Sequence, residues 1–233
     1  MNRIIGLAAI LALVFVLIGC ESGESPSATA DNRPIVCFGD SLTEGYGASR
    51  PGTVDKSKSY PAFLQNKVTV PVENAGISGD TAAGALARMD RDVLSRDPQA
   101  VIILLGANDF FRLRPARETK QDLQAIINKL KTGDREIYLA SFIGDSAWED
   151  AILGIIPNFI LIDHVALFAD YKKMFAELSS ENKELTFIPN IWTGVWGIHM
   201  SDPIHPNAAG YEIMANTIFN AIKPYLQANN LLE

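Results

Sequence analysis

The heptapeptide Ala100–Gly106, AVIILLG, contains no polar side chain. A strand with one wet face alternates apolar and polar residues, so an unbroken run belongs to a strand covered on both faces. Four other short runs read as strands: PIVCF (Pro34–Phe38), VTVPVENA (Val68–Ala75), EIYLASF (Glu136–Phe142) and LTFIPN (Leu185–Asn190). Apolar residues recur at helical spacing over Thr81–Ser95, Glu118–Leu130, Ala166–Leu178 and Asn207–Leu226. Strands alternating with helices predict an α/β fold, a three-layer α/β/α sandwich around a five-stranded parallel sheet. The order 2-1-3-4-5 is expected, with ligands outside the carboxyl ends of the strands at the switch point between strands 1 and 3. The segments after strands 1, 2 and 3 then converge on one crevice. They are Gly39-Asp40-Ser41, NAGISGDT (Asn74–Thr81) and GANDFF (Gly106–Phe111). There is no internal repeat beyond a duplicated Gly-Asp-Ser, and no second domain boundary.

The amino terminus is set apart from this pattern. A positively charged MNR precedes an apolar run, Ile4–Ile18, as in an export signal. The run ends in Leu-Ile-Gly-Cys, which resembles the lipobox of bacterial lipoproteins. That resemblance implies a signal peptide over residues 1–19, cleavage before Cys20, and lipid on Cys20 holding the protein to a membrane of the cell envelope. The competing reading is an uncleaved membrane helix, since the run is nearly long enough to span a bilayer. ESGESPSATADNRP (Glu21–Pro34) lacks large apolar groups and reads as a flexible tether, so residues 20–33 are expected to link the anchor to a domain over 34–233. Cys37 is then the one cysteine inside the domain, which precludes an intramolecular disulfide there, and its strand setting predicts a buried, inert thiol. A formal charge of −7 supplies no basic stripe, so no nucleic-acid partner is expected.

Gly-Asp-Ser occurs twice, in CFGDSLTEG (Cys37–Gly45) and in FIGDSAWED (Phe142–Asp150). Each serine is followed three residues later by glutamate, a capping-box spacing, so both are expected at helix starts. Placement separates them: Ser41 follows strand 1 at the expected crevice and is followed by Gly45-Tyr46-Gly47, whereas Ser146 follows strand 4 and reads as a helix N-cap. A serine hydroxyl needs a base held in the correct tautomer. Of the three histidines, His164 beside Asp163 reads as surface or lid structure. His199 and His205 bracket Asp202 in HMSDPIH. A metal held by these three residues is the weaker reading, because Asp202 and His205 each precede proline and residues before proline avoid the helix that would align them. A turn bringing Asp202 to His205 is compatible with the same residues. Donors for a developing oxyanion are available in the Gly-Ile-Ser-Gly loop and in Asn108, although Gly79 equally suits a tight turn and Asn108 a cap.

FGDSLTEGYG, GISGDT, GAND and DPIHPN, in that order, resemble the four signature blocks of the GDSL or SGNH serine esterases, in particular the bacterial thioesterase/arylesterase/lysophospholipase branch. The resemblance extends from Pro34 to about Tyr225. It implies the SGNH hydrolase fold, with Ser41 as nucleophile, His205 as base and Asp202 orienting it. It also implies an oxyanion hole of the Ser41 and Gly79 N–H groups with the Asn108 side chain. No metal or organic cofactor is implied, and the substrate is a small acyl ester, thioester or lysolipid. Transfer of the acyl group to a sugar, deacetylation of envelope glycans, or a silent ligand-binding role are the alternatives. The apolar segment Ala151–Phe168 reads either as core or as a lid over an acyl pocket, with Phe110, Phe111, Trp192 and Trp196 as further candidates to line it.

Overall fold

The computed structural model describes residues 31–233, apart from the side chains of Ala147 and residues 158–162. The expected signal peptide (1–19), Cys20 and the tether up to residue 30 lie outside the described residues. In chain order the elements are β1 (Ile35–Gly39), α1 (Ser41–Glu44), α2 (Tyr60–Gln65), β2 (Val72–Gly76), α3 (Ala82–Asp92), β3 (Ala100–Leu104) and α4 (Ala107–Phe111). They continue with α5 (Ala116–Leu130), β4 (Glu136–Ala140), α6 (Ser146–Ile155), α7 (Asn158–Glu181), β5 (Thr186–Ile188) and α8 (Ala208–Ala228). The five strands are all parallel, in the order β2-β1-β3-β4-β5. This is the architecture that the strand–helix alternation predicts.

Both central strands are buried along their whole length, Ile35–Gly39 and Ala100–Leu104 alike. Helix α2 packs with α8, while α3, α5 and α7 pack side by side to form the other layer. Gly39 is in register with Gly76 and with Leu104, and Leu104 with Ala140, so four strands end level and their loops emerge along one rim. That rim is tightly built. A Cβ on Gly76 would stand 2.3 Å from the backbone nitrogen of Glu44, so only glycine lets α1 lie against the end of β2.

Several local expectations give way to tertiary structure. Val68 to Val70 do not begin β2; Val68 forms an isolated antiparallel bridge with Leu232, and Thr69 donates to the Leu231 carbonyl. Helix α2 has too few turns for a readable period. Ser146 is the first residue of α6 rather than its cap: Asp145 takes that place and accepts from the Trp148 N–H at 3.1 Å. His164 is not a surface residue but buried, with Phe110 edge-on at 5.3 Å between ring centroids. Among the described residues no helix is long and apolar enough to cross a membrane.

Candidate active site

The crevice is assembled from the loops at that rim. Ser41 opens α1 directly after β1, with Asp40 as the N-cap, its Oδ1 accepting from the Leu42 N–H at 3.0 Å. A carboxyl acceptor one residue earlier wins the capping position from Ser41, and this leaves the hydroxyl for other partners. Glu44, whose spacing predicts a capping box, instead accepts from the N–H and hydroxyl of Ser78, at 2.8 and 2.6 Å. It thereby ties the serine helix to the glycine-rich loop after β2. Asn74 adds a second tie, donating to the Thr43 carbonyl at 2.8 Å.

His205 approaches from the far end of the chain. Asp202 Oδ1 accepts from the Ile204 and His205 N–H groups at 2.9 and 2.8 Å, closing a turn of the kind the two prolines allow. The same carboxylate faces the ring: His205 Nδ1 lies 2.8 Å from Oδ2 and 3.0 Å from Oδ1. With Nδ1–H donating to Asp202, Nε2 is left as an acceptor, and it stands 3.0 Å from Ser41 Oγ. The structure thus brings Ser41, His205 and Asp202 into one line. It leaves His199 out of that line, in a short 3-10 turn, where its carbonyl accepts from the Asn207 N–H.

The Gly-Tyr-Gly that follows only the first Gly-Asp-Ser has a direct part in this meeting. Tyr46 tilts against the His205 ring at 4.5 Å between centroids. Gly47 has φ +81°, and a Cβ there would reach within 3.1 Å of the Cβ atoms of His205 and Ser201. A side chain at Gly47 would therefore both strain the turn and push the histidine loop away. Tyr211 on α8 donates to the Tyr46 carbonyl at 2.7 Å, holding the loop from below. Sequence reasoning does not single out Tyr211, nor the tie from Glu44 to Ser78; Ser-x-x-Glu is equally consistent with a cap.

Gly79 and Asn108 line the same cavity as Ser41. The backbone N–H groups of Ser41 and Gly79 have no hydrogen-bond partner among the described residues. Asn108 Nδ2 donates to the Asp80 carbonyl at 2.9 Å and lies 3.3 Å from Asp40 Oδ2. Behind these groups Arg88 binds the ends of two strands at once, donating to the Gly39 and Ala75 carbonyls at 2.9 Å each and to Asp80 at 2.7 Å. Asp40 is fully buried, and burial raises its pKa to about 7; the charges of Asp80 and Asp109 push the same way, while the Leu42 N–H and the Asn108 amide oppose it.

The cavity beside Ser41 measures about 200 Å³. Its other walls are apolar, among them Phe111, Phe142, Trp148, Ile152 and Trp192. Phe110 is buried behind Phe111, and Trp196 stacks on Trp192 at 5.3 Å. A second cavity of about 440 Å³ adjoins it, sharing Tyr46, Phe111, Ile204 and His205 and adding Ile155, Ile156 and Pro157. A larger groove between α5 and α7 holds none of the site residues.

Comparison with known proteins follows the same lines. The sequence model of the GDSL-like Lipase/Acylhydrolase family matches residues 37–213. Esterase TesA of Pseudomonas aeruginosa is 24% identical over 219 residues, covering 91% of this chain and 98% of its own. Thioesterase 1/protease 1/lysophospholipase L1 of Escherichia coli is 35% identical over 112 residues, 47% of this chain and 50% of its own. The crystal structure of the lipase/acylhydrolase from Enterococcus faecalis superimposes with a TM-score of 0.62 at 25% identity, covering 86% of this chain and 97% of that one.

Proposed function

This chain belongs to the GDSL-like lipase/acylhydrolase family and is an ester hydrolase, and from that premise we propose that it cleaves apolar acyl esters or thioesters through an acyl-enzyme on Ser41. The observation that carries this reading is the 3.0 Å contact between Ser41 Oγ and His205 Nε2, with Asp202 2.8 Å from the opposite ring nitrogen. Ser41 Oγ attacks the acyl carbonyl while its proton passes to Nε2, and Asp202 stabilises the imidazolium that forms. The carbonyl electrons move onto oxygen, which takes hydrogen bonds from the Ser41 and Gly79 N–H groups and from Asn108 Nδ2. Collapse of the tetrahedral species breaks the bond to the leaving oxygen or sulfur, and that atom receives the proton from His205. Water then repeats the sequence on the acyl-serine, with His205 as base, releasing the acid and restoring Ser41.

The cavities support a substrate with two apolar halves. Among the described residues no carboxylate, lysine or arginine lines the smaller one, so it favours a neutral acyl chain of limited length. The leaving group must reach Nε2 and fits the larger, more open cavity, where Ile155, Ile156 and Pro157 offer apolar surface beside the polar groups of Asp202 and His164. The names of the relatives, esterase and thioesterase, support the same class. Anchorage in a bacterial envelope through Cys20 is supported by the Leu-Ile-Gly-Cys sequence.

A fluorophosphonate probe tests the nucleophile. The wild type is expected to be labelled and inactivated, Ser41→Ala to be inactive and unlabelled, and Ser146→Ala to behave as wild type. Labelling of Ser41→Ala at the normal rate would falsify the assignment.

A further inference from the structure

Of the three proposed oxyanion donors, two belong to the backbone and cannot turn. Asn108 can, because its amide presents nearly the same shape either way round and only its hydrogen-bond partners decide which end faces the substrate. With Asp40 ionised, both partners of Nδ2 are pure acceptors: the Asp80 carbonyl at 2.9 Å and Asp40 Oδ2 at 3.3 Å. A flipped amide would set its own oxygen against a carbonyl and a carboxylate, acceptor against acceptor. We propose that Asp40 is a positioning residue, whose second carboxylate oxygen keeps the Asn108 N–H groups directed at the site and releases one of them to the oxyanion. The inference rests on the oxyanion role given to Asn108 above.

Capping alone does not account for this carboxylate. Oδ1 caps α1 through the Leu42 N–H, a task that asparagine performs equally well. Asp40 is 1% exposed and shares its surroundings with Asp80 and Asp109, where a charge is unfavourable. Aspartate differs from asparagine in offering a second acceptor, and that acceptor faces Asn108. The two bonds to the amide are unequal. At 2.9 Å the bond to Asp80 is of full strength, whereas 3.3 Å to Asp40 is marginal, so the second hydrogen is the one an oxyanion can draw away.

The test is a double-mutant cycle on a short-chain aryl ester, with thermal melts alongside. Asp40→Asn keeps the cap but sets an N–H₂ against Nδ2. Its kcat is expected to fall roughly 10²-fold, in the range of a lost oxyanion donor, with KM little changed and the melting temperature not lowered. Asn108→Ala is expected to lose a similar factor, and the double variant to be no slower than Asn108→Ala alone, because Asp40 acts only through that amide. Asp40→Ser, which keeps a capping oxygen without the second acceptor, is expected to reproduce the loss if Asp40→Asn folds poorly. A normal kcat in Asp40→Asn, or a double variant slowed by the product of the two single factors, overturns the positioning role. A normal kcat in Asn108→Ala removes the oxyanion reading itself, and the positioning role with it.

Discussion

A carboxyl sealed from water holds its proton late, and Asp40 carries that property into the stability of the protein. Burial moves its pKa from 3.8 up to about 7. Because the folded pKa lies above the unfolded one, the folded state binds the extra proton, and this contribution is complete below about pH 4 and lost as pH rises through 7. Asp40→Asn removes the titration. Its melting temperature is therefore expected to gain on wild type between pH 4 and 7 and then hold a constant lead, on the order of 10 °C; parallel curves across that range would contradict it. Cys37 follows the same physics: burial pushes its thiol up to about 12, in keeping with the inert role its strand predicts. Residue-level reading fails where two side chains compete for one task. Ser-x-x-Glu is a sound capping pattern, but a preceding aspartate outcompetes serine at both occurrences, and nothing local reveals that Glu44 is drawn to Ser78.

At the scale of elements, legibility follows contrast. Strands β1 and β3 are readable because unbroken apolar runs end sharply at glycine. Ala151–Phe168 is the opposite case, since a helix that is apolar all round carries no phase and does not say which side faces inward. Trp148 and Ile152 on α6 form a wall of the cavity at Ser41, while Ile155 and Val165 are exposed at 44% and 46%. Trp148, stacked on Phe168 at 5.7 Å, closes the cavity's apolar side. Trp148→Leu is expected to shift the preferred p-nitrophenyl ester from short acyl chains toward longer ones, raising kcat/KM for the decanoate relative to the butyrate severalfold. An unmoved chain-length profile would separate Trp148 from the acyl site.

For the molecule as a whole, strand order is readable because right-handed crossovers leave few arrangements for five alternating units. The convergence of loops at the switch point follows from that order alone. What does not follow is how the last loop finds the first, since this depends on α8 packing beside α2 and on Tyr211 reaching the Tyr46 carbonyl. The intact chain also tests the envelope reading: radiolabelled fatty acid is expected to enter the full-length protein and to be absent from Cys20→Ala, and label retained by that variant would exclude lipidation there. The 164 positions between Ser41 and His205 have a consequence in time. Synthesis runs from the amino end, so the hydroxyl is made 164 residues before its imidazole. On the proposed mechanism, a nascent polypeptide is without its base until His205 has been added, and a fragment ending before that residue forms no acyl-serine.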